Sequence, residues 1–128
     1  MARSFLRQGR VLVKSAQFNL DNGSGTTVDE VLYNSGIRGS RLVRVYALYN
    51  EACGTVSSGN FKVGVAAGGA TLVAATAYVD SAAIGDVTEA ALTADSIAPN
   101  TTIWVRHTGV GATQAGTAAV CLEFVYDE

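Results

Sequence analysis

Acid–base chemistry near neutral pH depends most often on histidine, and the 128-residue sequence contains one, His107. Strand alternation places this residue on the same face as Ile103 and Val105. That position predicts a hydrogen-bonded, partly buried histidine instead of a catalytic base. No serine or cysteine lies in a nucleophile-elbow sequence. These residues indicate that the chain is not an enzyme, and we expect no small-molecule substrate.

Metal-ligating residues are few and badly spaced. Asp80 and Asp86 flank one segment, but calcium needs six or more oxygen ligands and this segment offers too few. Cys53 and Cys121 stand far apart, and one histidine does not complete a zinc site. The two cysteines do not form a disulfide framework, and reduced thiols fit a protein made inside a cell. We expect no metal and no cofactor.

Glycine spacing at residues 111–117 imitates a phosphate-binding loop. The lysine that should precede Thr117 is missing, and the segment leads into a predicted strand where a helix would be needed. A phosphate-binding loop uses the charge of the lysine and the N-terminus of the helix to bind the phosphate, and this segment has neither. The sequence therefore does not predict a nucleotide site.

Charge is distributed unevenly along the chain. Residues 1–44 contain seven basic and three acidic residues, whereas residues 45–128 contain two basic and eight acidic ones. Arg38, Arg41 and Arg44 lie near Tyr46, as in a stacking surface for nucleic acid. The net charge of −2 is unfavourable for such a partner, so we expect no nucleic acid.

The N-terminal segment contains no acid before Asp21. It is either an arm that binds an acidic partner surface or a solvated chain end. It is not expected to be an export signal or a membrane anchor, since polar residues interrupt every apolar run. The candidate binding residues in this segment are Arg3, Phe5, Leu6, Arg7, Arg10 and Lys14.

Alternation with period two dominates the rest of the chain and predicts about eight short strands. Residues 86–93 also fit a short helix, because Asp86 and Glu89 resemble a capping box; we favour a strand there. Gly68 and Gly69 predict a tight hairpin. The strands are predicted at residues 11–20, 26–33, 41–49, 60–66, 71–79, 86–93, 102–108 and 117–126.

Some of these strands present nonpolar residues on both faces. In residues 41–49, one face is predicted to carry Val43, Val45, Ala47 and Tyr49, and the other Leu42, Tyr46 and Leu48. One sandwich covers only one face of each sheet, so the other face predicts an oligomer, with a homotrimer favoured. Trp104 and Arg106 share the polar face of their strand and are either interface anchors or a cover for the sandwich edge.

Two segments carry a resemblance. Residues 59–69 read GNFKVGVAAGG, and residues 92–106 read LTADSIAPNTTIWVR. Together with the closing strand they resemble the small β-sandwich or jelly-roll virion proteins of tailed bacteriophages, namely head decoration (cement) and fibre proteins. That family usually has glycine where this chain has Asn100, and asparagine tolerates the same left-handed conformation. The resemblance implies a protein that binds the outside of a capsid, often as a trimer.

The sequence thus predicts an all-β protein, a single antiparallel β-sandwich with jelly-roll-like connections. Residues 1–10 would form a basic arm and residues 11–128 the sandwich domain. The expected function is decoration of a phage capsid on the virion surface, with the major capsid protein and further copies of the chain as partners. In that function residues 1–14 would anchor the sandwich to an acidic capsid surface. A fibre-tip or carbohydrate-binding module, with Trp104 or Tyr33 stacked on a sugar, and a tail or neck component are the alternatives.

Overall fold

The structure, a computed structural model, describes residues 9–21, 23–110 and 116–127. These residues form ten β-strands and no helix. The strands are β1 (Val11–Lys14), β2 (Phe18–Asn19), β3 (Thr27–Asn34), β4 (Ser40–Tyr49), β5 (Asn60–Gly64), β6 (Val73–Ala77), β7 (Val87–Ala90), β8 (Ser96–Ile97), β9 (Thr102–Thr108) and β10 (Thr117–Tyr126).

The strands form two sheets. Sheet A has the order β1-β10-β4-β7, with β2 also pairing β10 and β8 also pairing β4. Sheet B has the order β3-β9-β5-β6. Every pairing is antiparallel. If β1 with β2, and β7 with β8, are each taken as one interrupted strand, each sheet has four strands.

Strand pairing is nested along the chain. The first strands pair with the last one, β3 pairs with β9, β4 with β7 and β8, and β5 with β6. The chain is therefore one long hairpin, with its tip at Gly68 and Gly69, that is wrapped into two sheets. Gly68 has a φ of +75°, which glycine adopts without strain. This nested order is the jelly roll, and it confirms the predicted sandwich.

Alternation determines which side chains enter the core. In β9 the residues Ile103, Val105 and His107 are buried, while their neighbours on the strand are only half-buried. The core continues across the sandwich into sheet A, where the ring of Tyr33 from β3 stacks on Phe124 of β10 at a centroid distance of 4.2 Å. Because Tyr33 belongs to sheet B and Phe124 to sheet A, this stacked pair buries nonpolar area between the two sheets and stabilises their packing.

A β-bulge in β4 changes one predicted face. Glu123 pairs with Arg44 and Phe124 pairs with Leu42, so Val43 is the extra residue. The prediction that Val43 shares a face with Val45 was therefore wrong: Leu42 takes the core position and is 2% exposed. A bulge shifts the alternation by one residue, and every residue before it changes face.

The predicted strand at residues 11–20 is interrupted at Ser15. The Ser15 hydroxyl accepts a hydrogen bond from the Val120 amide at 2.9 Å. The next amide, that of Ala16, turns to the Glu30 carboxylate of sheet B at 3.0 Å. At this point a side-chain hydrogen bond takes the place of a backbone hydrogen bond between the two strands. The interruption divides the predicted strand into β1 and β2.

Residues 86–93 contain the strand β7, which confirms the strand interpretation over the helix. The structure also contains β8, a two-residue strand that the sequence did not predict. Two residues are too short to show a period. The predicted turn at Pro99 and Asn100 is confirmed, because Asn100 has a φ of +55°.

Antiparallel pairing gathers the connections at two opposite ends. Four connections meet at one end, which we call the four-loop end. Its described residues are 20–21, 23–26, 50–59, 78–86, 109–110 and 116. Backbone hydrogen bonds join these connections, for example from Cys53 to Ala82 at 3.0 Å. The opposite end, called the terminal end, holds both ends of the described chain and the remaining connections, where the amide of Asn100 bonds the Gly36 carbonyl at 2.6 Å.

Candidate interaction surfaces

The outer face of sheet B displays Trp104. In the register of the sheet it stands between Val31 of β3 and Gly64 of β5. Trp104 is half-buried, while Val31 is exposed. A Cβ atom on Gly64 would lie 2.5 Å from the backbone of Gly69, so the hairpin tip folds back against this face. The result is a nonpolar row, bounded by the hairpin tip, on an otherwise polar sheet face.

Next to this row lies an ion pair. The Arg106 guanidinium donates two hydrogen bonds to the Asp29 carboxylate, at 2.7 and 2.8 Å. These bonds hold the pKa of Asp29 below its usual range, mainly through the hydrogen bond itself. The guanidinium also packs against Gly68. Arg106 is thus oriented by its own chain, and a partner would meet a fixed guanidinium plane.

The outer face of sheet A carries a chain of ion pairs that begins at Arg10, just before β1, and continues across β10, β4 and β7. Arg10 contacts Glu123 at 3.1 Å, Glu123 contacts Arg44 at 3.3 Å, and Arg44 pairs with Glu89. The Arg44 guanidinium lies over the Tyr46 ring, 4.0 Å from its centroid, in a cation–π contact. The sequence did not reveal this network, since its members come from four distant segments.

Nonpolar side chains surround that network. Leu12 of β1 is 58% exposed and Val87 of β7 is 43% exposed. Between them, Ala119 and Cys121 are buried although they point away from the core. Burial raises the pKa of the Cys121 thiol, so it is not a reactive thiolate. The outer face of sheet A is therefore a mixed nonpolar and ionic surface.

The four-loop end is acidic. Its four connections contain four acidic residues and no lysine, arginine or histidine. Two of the acids also have structural contacts: Asp80 accepts hydrogen bonds from the amides of Val56 and Ser57, and Asp86 accepts one from Ala83. The bonds to Asp80 lower the pKa of its carboxyl, mainly through the Val56 amide. The acids of this end are Asp21, Glu51, Asp80 and Asp86.

A cleft of about 500 Å³ opens at this end. Its lining includes the acidic Asp80 and Asp86 and the nonpolar Val79 and Val87. Ile84 lies in the same connection and is 70% exposed. The described residues contain no group of three or more histidine, cysteine or acidic side chains placed to hold a metal ion. The lining residues are Tyr49, Val79, Asp80, Ser81, Ala82, Gly85, Asp86, Val87 and Thr88.

His107 lies in the core, as the sequence predicted. It is fully buried and stacks on Phe18 at a centroid distance of 4.9 Å. Burial lowers the pKa of its imidazole. Its contacts with the Tyr78 hydroxyl and the Asn19 carbonyl satisfy both ring nitrogens, so the ring has no free nitrogen for a substrate.

The predicted binding residues are distributed over separate regions. Arg3, Phe5, Leu6 and Arg7 lie outside the described residues, as does most of the glycine segment at 111–117. Arg10 lies at the terminal end, paired with Glu123. Lys14 is the last residue of β1 and is paired with Cys121. Trp104 and Arg106 lie together on the outer face of the other sheet.

Tyr33, the alternative aromatic for a sugar site, is half-buried and has contacts inside the sandwich. One ring face packs on Phe124, and the hydroxyl bonds the Ser40 hydroxyl at 3.0 Å. Both cysteines are buried and free. Within residues 9–21, 23–110 and 116–127 there is no helix of the length and apolarity that crossing a bilayer requires.

Comparison with known proteins gives one informative similarity. No protein-family model matches the sequence, and no protein of curated function matches it. Among solved structures, the chain is similar to one from the "Cyanophage Pam1 capsid asymmetric unit", with a TM-score of 0.62 and 15% sequence identity. The similarity covers 93% of this chain and 85% of the other. At this identity what the two chains share is the fold: a jelly-roll sandwich that a bacteriophage capsid structure also contains.

Proposed function

We propose that this chain is a non-enzymatic structural protein of a bacteriophage particle that decorates the outside of the capsid. In this proposal it binds the major capsid protein as an oligomer and is made in the host cytoplasm before assembly. The observation that carries the proposal is the similarity to a chain of a cyanophage capsid unit over 93% of the sequence. A similarity that extends over the whole sandwich, and not over one motif, favours a shared architectural use.

The outer faces of the sheets support an assembly function. Each combines nonpolar side chains with ionic groups whose positions the chain itself fixes, Trp104 beside Arg106 on one face and Leu12 beside Arg44 on the other. Tryptophan and arginine are the residues most enriched among those that dominate interface energies. A decorating protein needs two such surfaces, one for the capsid and one for its own copies.

A carbohydrate-binding function has weaker support. A sugar site needs an exposed aromatic ring beside convergent polar groups in a groove. Trp104 lies on a sheet face, whereas the cleft at the four-loop end is lined by Tyr49, which is 1% exposed. Neither place combines the two requirements, so capsid decoration remains the function that we propose.

The test is to locate the chain in purified particles. Particles from infected cells are banded by density, their proteins are identified by mass spectrometry, and cryo-electron microscopy shows where density of this size lies. We expect the chain in many copies per particle, on the outer capsid shell. Density in the tail, neck or fibre would support those alternatives instead. Absence from particles, with the protein abundant in the lysate, would refute the structural function.

A further inference from the structure

The four-loop end and the N-terminal segment have opposite charge. The connections of the four-loop end contain four acidic residues and no basic one. The terminal end of the described sandwich is mixed in charge, because Arg38 lies there together with Asp127, whose amide bonds the Gly39 carbonyl. The segment before Gly9 contains Arg3 and Arg7 and no acid, so the acidic end of a second copy would attract it.

The acidic end also has a shape that fits an extended segment. Its cleft of about 500 Å³ is lined by two carboxylates, those of Asp80 and Asp86, and by the exposed Val79 and Val87. Asp80 and Asp86 each use part of their carboxylate for backbone amides and keep further acceptor positions for a cation. The chemistry of the cleft therefore favours a segment that carries basic and nonpolar side chains together.

The first eight residues of the chain, MARSFLRQ, have that composition. Phe5 and Leu6 lie between Arg3 and Arg7, so nonpolar and basic side chains alternate over a few residues. These residues directly precede Gly9, and Gly9 lies at the terminal end of the sandwich. An extended peptide of this kind can place two nonpolar side chains in a cleft while its guanidinium groups pair with carboxylates.

Geometry decides whether the segment belongs to the same copy. From Gly9 to the four-loop end the path runs about 30 Å along the strands and about 14 Å across sheet A, which is about 33 Å in a straight line. Arg3 precedes Gly9 by six residues, which span at most about 22 Å when fully extended. Phe5 and Leu6 therefore cannot reach the cleft of their own copy. The cleft of a second copy has no such restriction.

We propose that the N-terminal segment of one copy binds in the acidic cleft at the four-loop end of a second copy. This deepens the oligomeric part of the proposed function, and it assigns to a second copy the acidic surface that the basic arm was expected to seek. The contact is heterologous, since it joins two different surfaces. Heterologous contacts close into a ring when the rotation between copies allows it, and a ring of three would be the predicted homotrimer.

The first test measures self-association without any capsid, by sedimentation velocity at low ionic strength. Deletion of residues 2–8 and the double substitution Arg3→Glu/Arg7→Glu should each weaken association at least about tenfold, because both remove the basic charge of the segment. The matched control is Arg41→Glu/Lys62→Glu, which changes the net charge by the same amount outside the segment and should keep the wild-type mass. High salt should weaken association of the wild type.

The second test changes the cleft. Val79→Lys places a positive charge in the cleft wall and should weaken association as strongly as the deletion, whereas Val65→Lys, an equally exposed valine at the other end, should not. Thermal unfolding of each variant checks that the sandwich is intact.

Complementation then tests the direction of the contact. The deletion variant keeps its cleft and the Val79→Lys variant keeps its segment, so each alone should be monomeric and an equal mixture should form a dimer and nothing larger. A two-fold interface would not behave in this way.

Several results would overturn the inference. One is a wild type that stays monomeric at high micromolar concentration and low salt, and another is a deletion variant with the wild-type mass. If the deletion leaves self-association intact but abolishes binding to undecorated capsids, the segment binds the capsid and not a second copy. None of these measurements depends on where the chain lies in a particle, so they stand apart from the test of the proposed function.

Discussion

The hydroxyl of Tyr78 lies 2.7 Å from Nδ1 of His107 in the centre of the core. On the other side of the ring, Nε2 lies 3.2 Å from the carbonyl oxygen of Asn19. A carbonyl oxygen can only accept, so Nε2 carries the proton and Nδ1 accepts from the tyrosine. The two bonds join β9 to the connection after β6 and to β2, which makes His107 a structural link between the sheets.

This link predicts a pH dependence of stability. Burial lowers the pKa of His107 in the folded state, so the unfolded chain binds the proton more readily. The contribution is complete above the unfolded value of about 6.5 and is lost as the pH falls below it. Urea unfolding at pH 7.5 and pH 5 should show a lower free energy of unfolding at pH 5.

The substitution His107→Phe should reduce that pH dependence. It should also cost about 1–3 kcal/mol at pH 7.5, because it removes the imidazole that accepts from the buried Tyr78 hydroxyl. Circular dichroism would confirm that the variant still folds. Equal slopes with pH for the wild type and the variant would show that another group titrates in this range.

The close packing of the hairpin tip against Gly64 leads to a second prediction about stability. A methyl group on Gly64 would lie 2.5–2.9 Å from backbone atoms of Gly69, so Gly64→Ala must displace the tip. We expect a loss of about 1–3 kcal/mol in the free energy of unfolding, as for other overpacked sites. Gly9→Ala is the control, because a Cβ there meets nothing within 4 Å. Equal stability of the two variants would mean that the tip is not held against the sheet.

Substitution of Trp104 tests which surface of the molecule binds the capsid. If the outer face of sheet B is the capsid surface, Trp104→Ala should weaken binding to undecorated capsids by about 2 kcal/mol or more, the range of interface hot spots. Thr102→Ala, on the same strand face, should have little effect. Binding is measured by co-sedimentation with capsids. An unchanged affinity of the Trp104 variant would move the capsid surface elsewhere on the molecule.

The oligomeric state is a prediction of its own. A head-to-tail contact between the N-terminal segment and the acidic cleft can close into a ring of three, so the purified protein should sediment as a homotrimer. Light scattering on the same sample gives an independent mass. A monomer mass at micromolar concentration would contradict trimer formation in solution.

Most strands were predictable from the sequence because local alternation determines them. The bounds of β9 and β10 agree with the prediction, and the burial of His107 followed from its position two residues after Val105. The left-handed turn at Asn100 was also predictable, since few residue types tolerate that conformation. In each case the physical cause lies within a few residues of the chain.

The features that only the tertiary structure decided depend on distant segments. The bulge at Val43 exists because of the register with β10, and the interruption at Ser15 depends on the amide of Val120. No local pattern predicts either one.

The charge pattern of the surfaces also depends on segments that are distant in the sequence. Arg10, Arg44, Glu89 and Glu123 become neighbours only when four strands pair, and four dispersed acids become one acidic end only when the nested hairpin brings its connections together. The alternation of nonpolar and polar residues determined by itself that the chain forms a β-sandwich. Pairing between residues far apart in the chain determined which charges share a surface, because that depends on the register of the whole sheet.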